Sequence, residues 1–100
     1  LELDPDNPDI LNNLAWIFAT SKETSLYQPE KALELAERAA ARSQESHILD
    51  TLAESYYVNG LSRKALATAE KALAAASGDR SYYVEQVERF RRAVEGRNNL

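Results

Sequence analysis

The chain contains no cysteine, which excludes disulfide bridges and thiolate-held metal centres. It has one histidine, His47, so the paired-histidine spacings of zinc and di-iron sites cannot be made and no metal site is expected. Glycine and proline are scarce, at 3 each. None of the glycines belongs to a phosphate-cradling loop; each stands where a helix would end, so no cofactor is expected. No apolar run approaches the roughly 18 residues that a membrane-spanning helix needs, so no membrane partner is expected. The opening residues also lack the basic-then-apolar order of a signal peptide. The net charge is -4, and no basic cluster dominates, which argues against nucleic acid as partner. With 28% charged residues a soluble surface is expected, and cytoplasm and periplasm are left equally open.

What the chain does have is helical chemistry. Alanine, leucine, glutamate, lysine and arginine dominate, and no sustained alternating pattern suggests a strand. The fold class is therefore expected to be all-α, with five helices. The first spans 8–20, with Asn7 as cap and Pro8 at the first helical position, where its missing N–H costs nothing. The second spans 29–42, again from a proline. The third spans 46–59 and ends at Gly60; the fourth spans 62–76, from Ser62 as cap; the fifth spans 79–95, from Asp79 as cap, and ends at Gly96.

The chain says nearly the same thing twice. "NLAWIFA" at 13–19 aligns with "TLAESYY" at 51–57 at an offset of 38, matching Leu14 to Leu52, Ala15 to Ala53 and Phe18 to Tyr56. "PEKALELAERAA" at 29–40 aligns with "SRKALATAEKAL" at 62–73 at an offset of 33, matching Ala32 to Ala65, Ala36 to Ala69 and Ala39 to Ala72. The five-residue difference falls in the turn of the first pair, at 21–29. Small alanines at these places let helices approach closely, while Leu11, Leu14, Phe18, Leu52 and Tyr56 fill the space beside them. One helix pair cannot bury its apolar face alone, so neighbouring pairs are expected to stack.

This arrangement resembles the tetratricopeptide repeat, whose pattern is W-x2-L-G-x2-Y, then A-x3-F, then P. The first unit supplies Leu11, Leu14, Ala15, Phe18, Ala32 and Ala36; the second supplies Leu49, Leu52, Ala53, Tyr56, Ala65 and Ala69. Both units carry Leu where the family has its first large aromatic, and A-x3-A where it has A-x3-F. Ser77 stands in place of the second unit's closing proline. The resemblance implies an α-solenoid of antiparallel helix pairs wound as a right-handed superhelix. It divides the chain into the end of a preceding repeat (1–7, "LELDP" being such an ending), a first pair with a turn insertion (8–42), a second pair (43–78), a capping helix (79–96) and a frayed tail (97–100). The cap buries the stripe Tyr83, Val87, Phe90, Val94 and exposes Glu85–Arg89 and Glu88–Arg92 pairs.

Catalysis is not expected: Ser46, His47 and Asp50 lie close in sequence, but no oxyanion site accompanies them, and helix-start polarity accounts for all three. Residues 80–100 hold five Arg and three Glu, whose interleaving reads as a solvated helix face. The resemblance implies instead a protein–protein interaction module, its groove lined by the first helix of each pair. Helical spacing then places Asp9, Asn12, Asn13, Trp16 and Thr20 in that groove, with His47, Asp50, Thr51, Glu54 and Tyr57 beside them, and Glu88 and Arg92 from the cap. Carboxylates outnumber cations there, so a neutral or basic peptide or protein segment is the expected partner. Ile10 and Ile17 lie on the flank that, in the family, abuts a preceding repeat. The alternative role is therefore structural: the C-terminal end of a longer array, or a homo-oligomer formed through that flank. Ile48, at the matching place in the third helix, is expected to be buried against the second.

Overall fold

The computed structural model describes residues 4–98; residues 1–3 and 99–100 lie outside that range, and with them most of the expected "LELDP" ending and the last of the tail. Five α-helices account for its regular structure: α1 (Pro8–Thr20), α2 (Pro29–Arg42), α3 (Ser46–Val58), α4 (Ser62–Ala75) and α5 (Ser81–Asn98). No strand occurs among the described residues. Each helix packs against the next in chain order, and α1 also touches α3. The overall extents of 51 × 35 × 20 Å describe a slab. A thickness of 20 Å accommodates two layers of helices, each about 10 Å across. The packing is consistent with helix pairs stacked side by side.

Local chemistry sets the helix ends. The Asn7 side chain accepts from the backbone N–H groups of Asp9 and Ile10 and opens α1, with Pro8 in the first turn. Gly60 takes a φ of 79°, the left-handed conformation that turns the chain from α3 to α4. Three expected boundaries are corrected. The hydroxyl of Ser62 does not cap α4; Leu61 holds the cap position without a side-chain bond, and Ser62 is itself buried. Asp79 stands outside α5, where its carboxylate accepts from the N–H and hydroxyl of Ser81. Gly96 does not end α5, which continues through it to Asn98.

Alanine lines the closest helix contacts. Ala15, Ala32, Ala53 and Ala65 are all completely buried. One cluster joins Leu11 and Ala15 of α1 to Leu35, Ala36, Ala39 and Ala40 of α2 and Ile48 and Leu52 of α3, so Ile48 is buried where expected. A second joins Ala53, Ala65, Ala69, Val87 and Phe90 across α3, α4 and α5. Tyr56 packs against both clusters and links them. Asn59 adds a polar tie: its amide donates to the Pro29 carbonyl at 2.8 Å and the Ser55 carbonyl at 2.7 Å, pinning the end of α3 to the start of α2.

Leu14 departs from expectation. It is 41% exposed rather than packed in the core, because Leu11 and Ala15 already occupy the side of α1 turned to α2 and α3. Ahead of α1, Arg38 reaches Asp6 at 2.6 Å and Arg42 reaches Asp4 at 2.7 Å, holding the leading turn on α2. The Arg42 guanidinium also keeps the Asp4 carboxyl below its ordinary pKa.

Candidate functional site

The helices α1, α3 and α5 line one face side by side and run in the same direction. Three cross-helix contacts fix this. His47 Nε2 lies 3.4 Å from Asp9 Oδ1, joining the first turns of α3 and α1. The Tyr82 hydroxyl donates to Asp50 Oδ2 at 2.7 Å, joining the first turns of α5 and α3. Arg89 donates to Glu54 Oε1 at 2.5 Å, one helical turn further along α3 and two along α5.

Between these helices lies a depression of about 490 Å³, lined by Asn12, Asn13, Trp16 and Ile17 of α1, His47, Asp50 and Thr51 of α3, and Tyr82 and Tyr83 of α5. Trp16 is 37% exposed and Tyr82 45%, so both offer open aromatic surface to the cavity. The Tyr82 and Tyr83 rings meet edge-to-face with centroids 5.2 Å apart. Asn12 Oδ1 is buried and has no hydrogen-bond partner among the described residues, and Asn12 belongs to the lining of the cavity.

The electrostatics of the face are those of half-buried carboxylates. Burial pushes the Asp50 carboxyl above its ordinary pKa, and Glu54 adds to the effect; the Tyr82 hydroxyl and Arg89 oppose it. The Tyr82 phenol is raised as well, by burial and by the Asp50 carboxylate that accepts its proton. The nearest cation is already engaged. Arg89 is bonded to Glu54 and lies over the Phe90 ring at 4.5 Å and the Tyr57 ring at 5.3 Å.

The residues expected in the groove therefore fall into separate groups. Asn12, Asn13, Trp16, His47 and Asp50 line one cavity, with Asp9 against His47 at its edge. Glu54 faces α5 but is occupied by Arg89. Thr51 also lines this cavity, but it is only 3% exposed and its hydroxyl is spent on the His47 carbonyl. Thr20 spends its hydroxyl on the Trp16 carbonyl at 2.7 Å and does not line the cavity. Tyr57 and Arg92 belong to a second depression at the far end of the face, with Val58, Ala93 and Gly96. Glu88 leaves the face altogether and lines a hollow between α4 and α5 with Glu70, Leu73 and Ala74.

The displacement of Glu88 has a single cause. The side of α5 turned to α3 carries Tyr82 and Arg89, and Arg89 is one residue on from the expected Glu88, which is a rotation of about 100°. The expected Glu85–Arg89 pair is accordingly replaced by Arg89–Glu54, while Glu88 and Arg92 do approach to 3.8 Å. Sequence reasoning missed Tyr82, Tyr83 and Arg89 as groove residues. The available signal was two adjacent tyrosines in one turn: only one of them can follow the buried Val87–Phe90 stripe, so the other must face out beside it.

No group of His, Asp and Glu able to hold a metal ion occurs among the described residues. Comparison with family models, curated proteins and solved structures returned no match.

Proposed function

We propose that this chain is a tetratricopeptide-like helical-repeat segment, a right-handed α-solenoid in which two helix pairs are followed by a capping helix. It acts by binding a peptide or protein segment along the face formed by α1, α3 and α5, without catalysis. One observation carries the reading: Trp16, the chain's single tryptophan, stands partly exposed beside Tyr82 and Tyr83 in a depression shared by all three helices. Exposed aromatics in concave, polar-rimmed surfaces are the residues that carry most of the energy at interfaces. The volume of about 490 Å³ falls within the range of roughly 300–1,000 Å³ typical of ligand clefts. The repeat itself supports the same reading, because stacked helix pairs leave one extended hollow face free.

The test is to select linear peptides from a displayed library on the intact chain and to measure each on the Trp16→Ala variant. Loss of a central aromatic anchor is expected to weaken the selected peptides by about 30-fold, equivalent to about 2 kcal/mol. The thermal midpoint should barely move, since Trp16 belongs to neither buried cluster. Equal affinity for Trp16→Ala across all selected peptides would exclude this face as the binding surface.

A second reading is favoured by a different observation. Ile10, Leu14 and Ile17 are exposed at 42%, 41% and 45%, and their spacing puts all three on one flank of α1. This stripe is what a neighbouring helix would cover, either of an adjoining repeat or of a second copy of the chain. Sedimentation velocity is expected to show concentration-dependent association that Ile10→Asp abolishes and Trp16→Ala retains. A monomer at every attainable concentration would remove self-association from consideration.

A further inference from the structure

We infer that the depression between α1, α3 and α5 selects a lysine or arginine side chain of the bound segment, taking its charged head to Asp50 and its stem against Trp16, Tyr82 and Tyr83. This rests on the groove reading above and narrows its partner from neutral or basic to basic.

The inference starts from which charges on the face are already spent. Glu54 is satisfied by Arg89, and Asp9, although only in loose contact with His47 at 3.4 Å, is largely exposed at the edge and does not line the cavity. Asp50 is different. Tyr82 supplies one hydrogen bond to Oδ2, and no other hydrogen bond or ion pair reaches this carboxylate among the described residues. It nonetheless lines the cavity, so its remaining acceptor capacity faces the space a ligand would enter. An ionised carboxylate accepts from several donors at once, and a tyrosine hydroxyl provides only one.

The three classes of entering side chain then differ sharply. An acidic one meets Asp50, with Asp9 and Glu54 close by, and is repelled. A neutral apolar one can cover the aromatic surface, but it strips the remaining water from a carboxylate without replacing it, at the full desolvation cost. A lysine or arginine supplies the missing donors, and its alkyl stem lies along apolar surface while the head stays polar. Trp16, Tyr82 and Tyr83 add ring faces that attract a cation. The Asp50 pKa is raised chiefly by burial, the desolvation that further donors to its carboxylate would offset.

Acetylated and amidated pentapeptides Ala-Ala-X-Ala-Ala, with X lysine, arginine, norleucine or glutamate, separate these cases. Binding is read from backbone amide chemical shifts on the full chain, and the reporters are residues of α1, α3 and α5. The lysine and arginine peptides are expected to bind about tenfold tighter than norleucine, with glutamate weakest. In Asp50→Asn, which keeps an acceptor for Tyr82, lysine and norleucine should bind within about twofold of each other. Norleucine binding as well as lysine to the unaltered chain, with shifts at the same residues, overturns cation selection and leaves the groove reading standing. A lysine preference that survives in Asp50→Asn overturns the assignment to Asp50. Absence of shifts in these helices with all four peptides overturns both. The comparison on the unaltered chain decides the matter even where Asp50→Asn fails to fold.

Discussion

Phe90→Ala is expected to destabilise the protein by about 3–5 kcal/mol, the range for emptying a buried aromatic site. Phe90 is 0% exposed and is the largest fully buried side chain among the described residues. It joins Val87 in fastening α5 to Ala53, Ala65 and Ala69, and its ring meets Tyr57 at 5.4 Å. The small alanines around it cannot reorganise to fill the space, so most of the cavity persists. A domain of this size has about 5–15 kcal/mol in all, and the loss therefore consumes a large share. It should also be uneven. α5 packs principally on α4, so it can detach while the first cluster survives. Denaturant titration is the check on magnitude. Hydrogen exchange is the check on location: protection should fall first in residues 81–98 and persist in α1 and α2. Uniform loss of protection across all five helices would show that the two clusters unfold as one.

Ala53→Leu is expected to cost about 1–3 kcal/mol by the opposite mechanism, overfilling. Ala53 is 0% exposed and lies in the same cluster as Phe90. Its methyl is as much as the α3–α4–α5 junction admits; a larger side chain forces the helices apart or takes a strained rotamer. Because the two sites share one cluster, their effects should not add. Leucine at 53 has somewhere to go once the ring at 90 is gone. The double variant is therefore expected to be more stable than the sum of the single losses implies, by about 0.5–3 kcal/mol. Strict additivity in denaturant titration would mean that the two sites do not share space.

The buried half of this molecule was largely legible in its sequence. The offsets of 38 and 33 put alanines at 15, 32, 53 and 65, and all four are fully buried. Apolar residues at helical spacing can be read from a single chain because burial acts on residue type position by position. Leu14 shows the limit of that rule. A leucine at an i+3 position from Leu11 fits the pattern, yet it lies outside because two other residues already fill the contact. The helix caps were less legible. Asn7 caps as its chemistry suggests, whereas Ser62 is the first residue inside α4 and the cap position falls to Leu61.

The face carrying Trp16 was only half legible, and α5 is the reason. On α1 and α3 the repeat placed Asn12, Asn13, Trp16, His47 and Asp50 together, as the structure has them, although not Thr20 or Tyr57, but α5 has no partner segment in the chain to fix its register. Its rotation was decided by packing Phe90 and Val87 onto α4. That rotation brought Tyr82 to Asp50 and Arg89 to Glu54, and sent Glu88 to the other side.

By itself the sequence determined that this chain is helical, where its helices run to within a few residues, and which alanines the helices share. These follow from local propensity and spacing, which act along the chain. Only the tertiary structure decided which side of α5 completes the hollow face, and so that Arg89 goes to Glu54 while Asp50 takes the Tyr82 hydroxyl. That depends on the rotation of one helix about its own axis, which is set by contacts with residues distant in sequence.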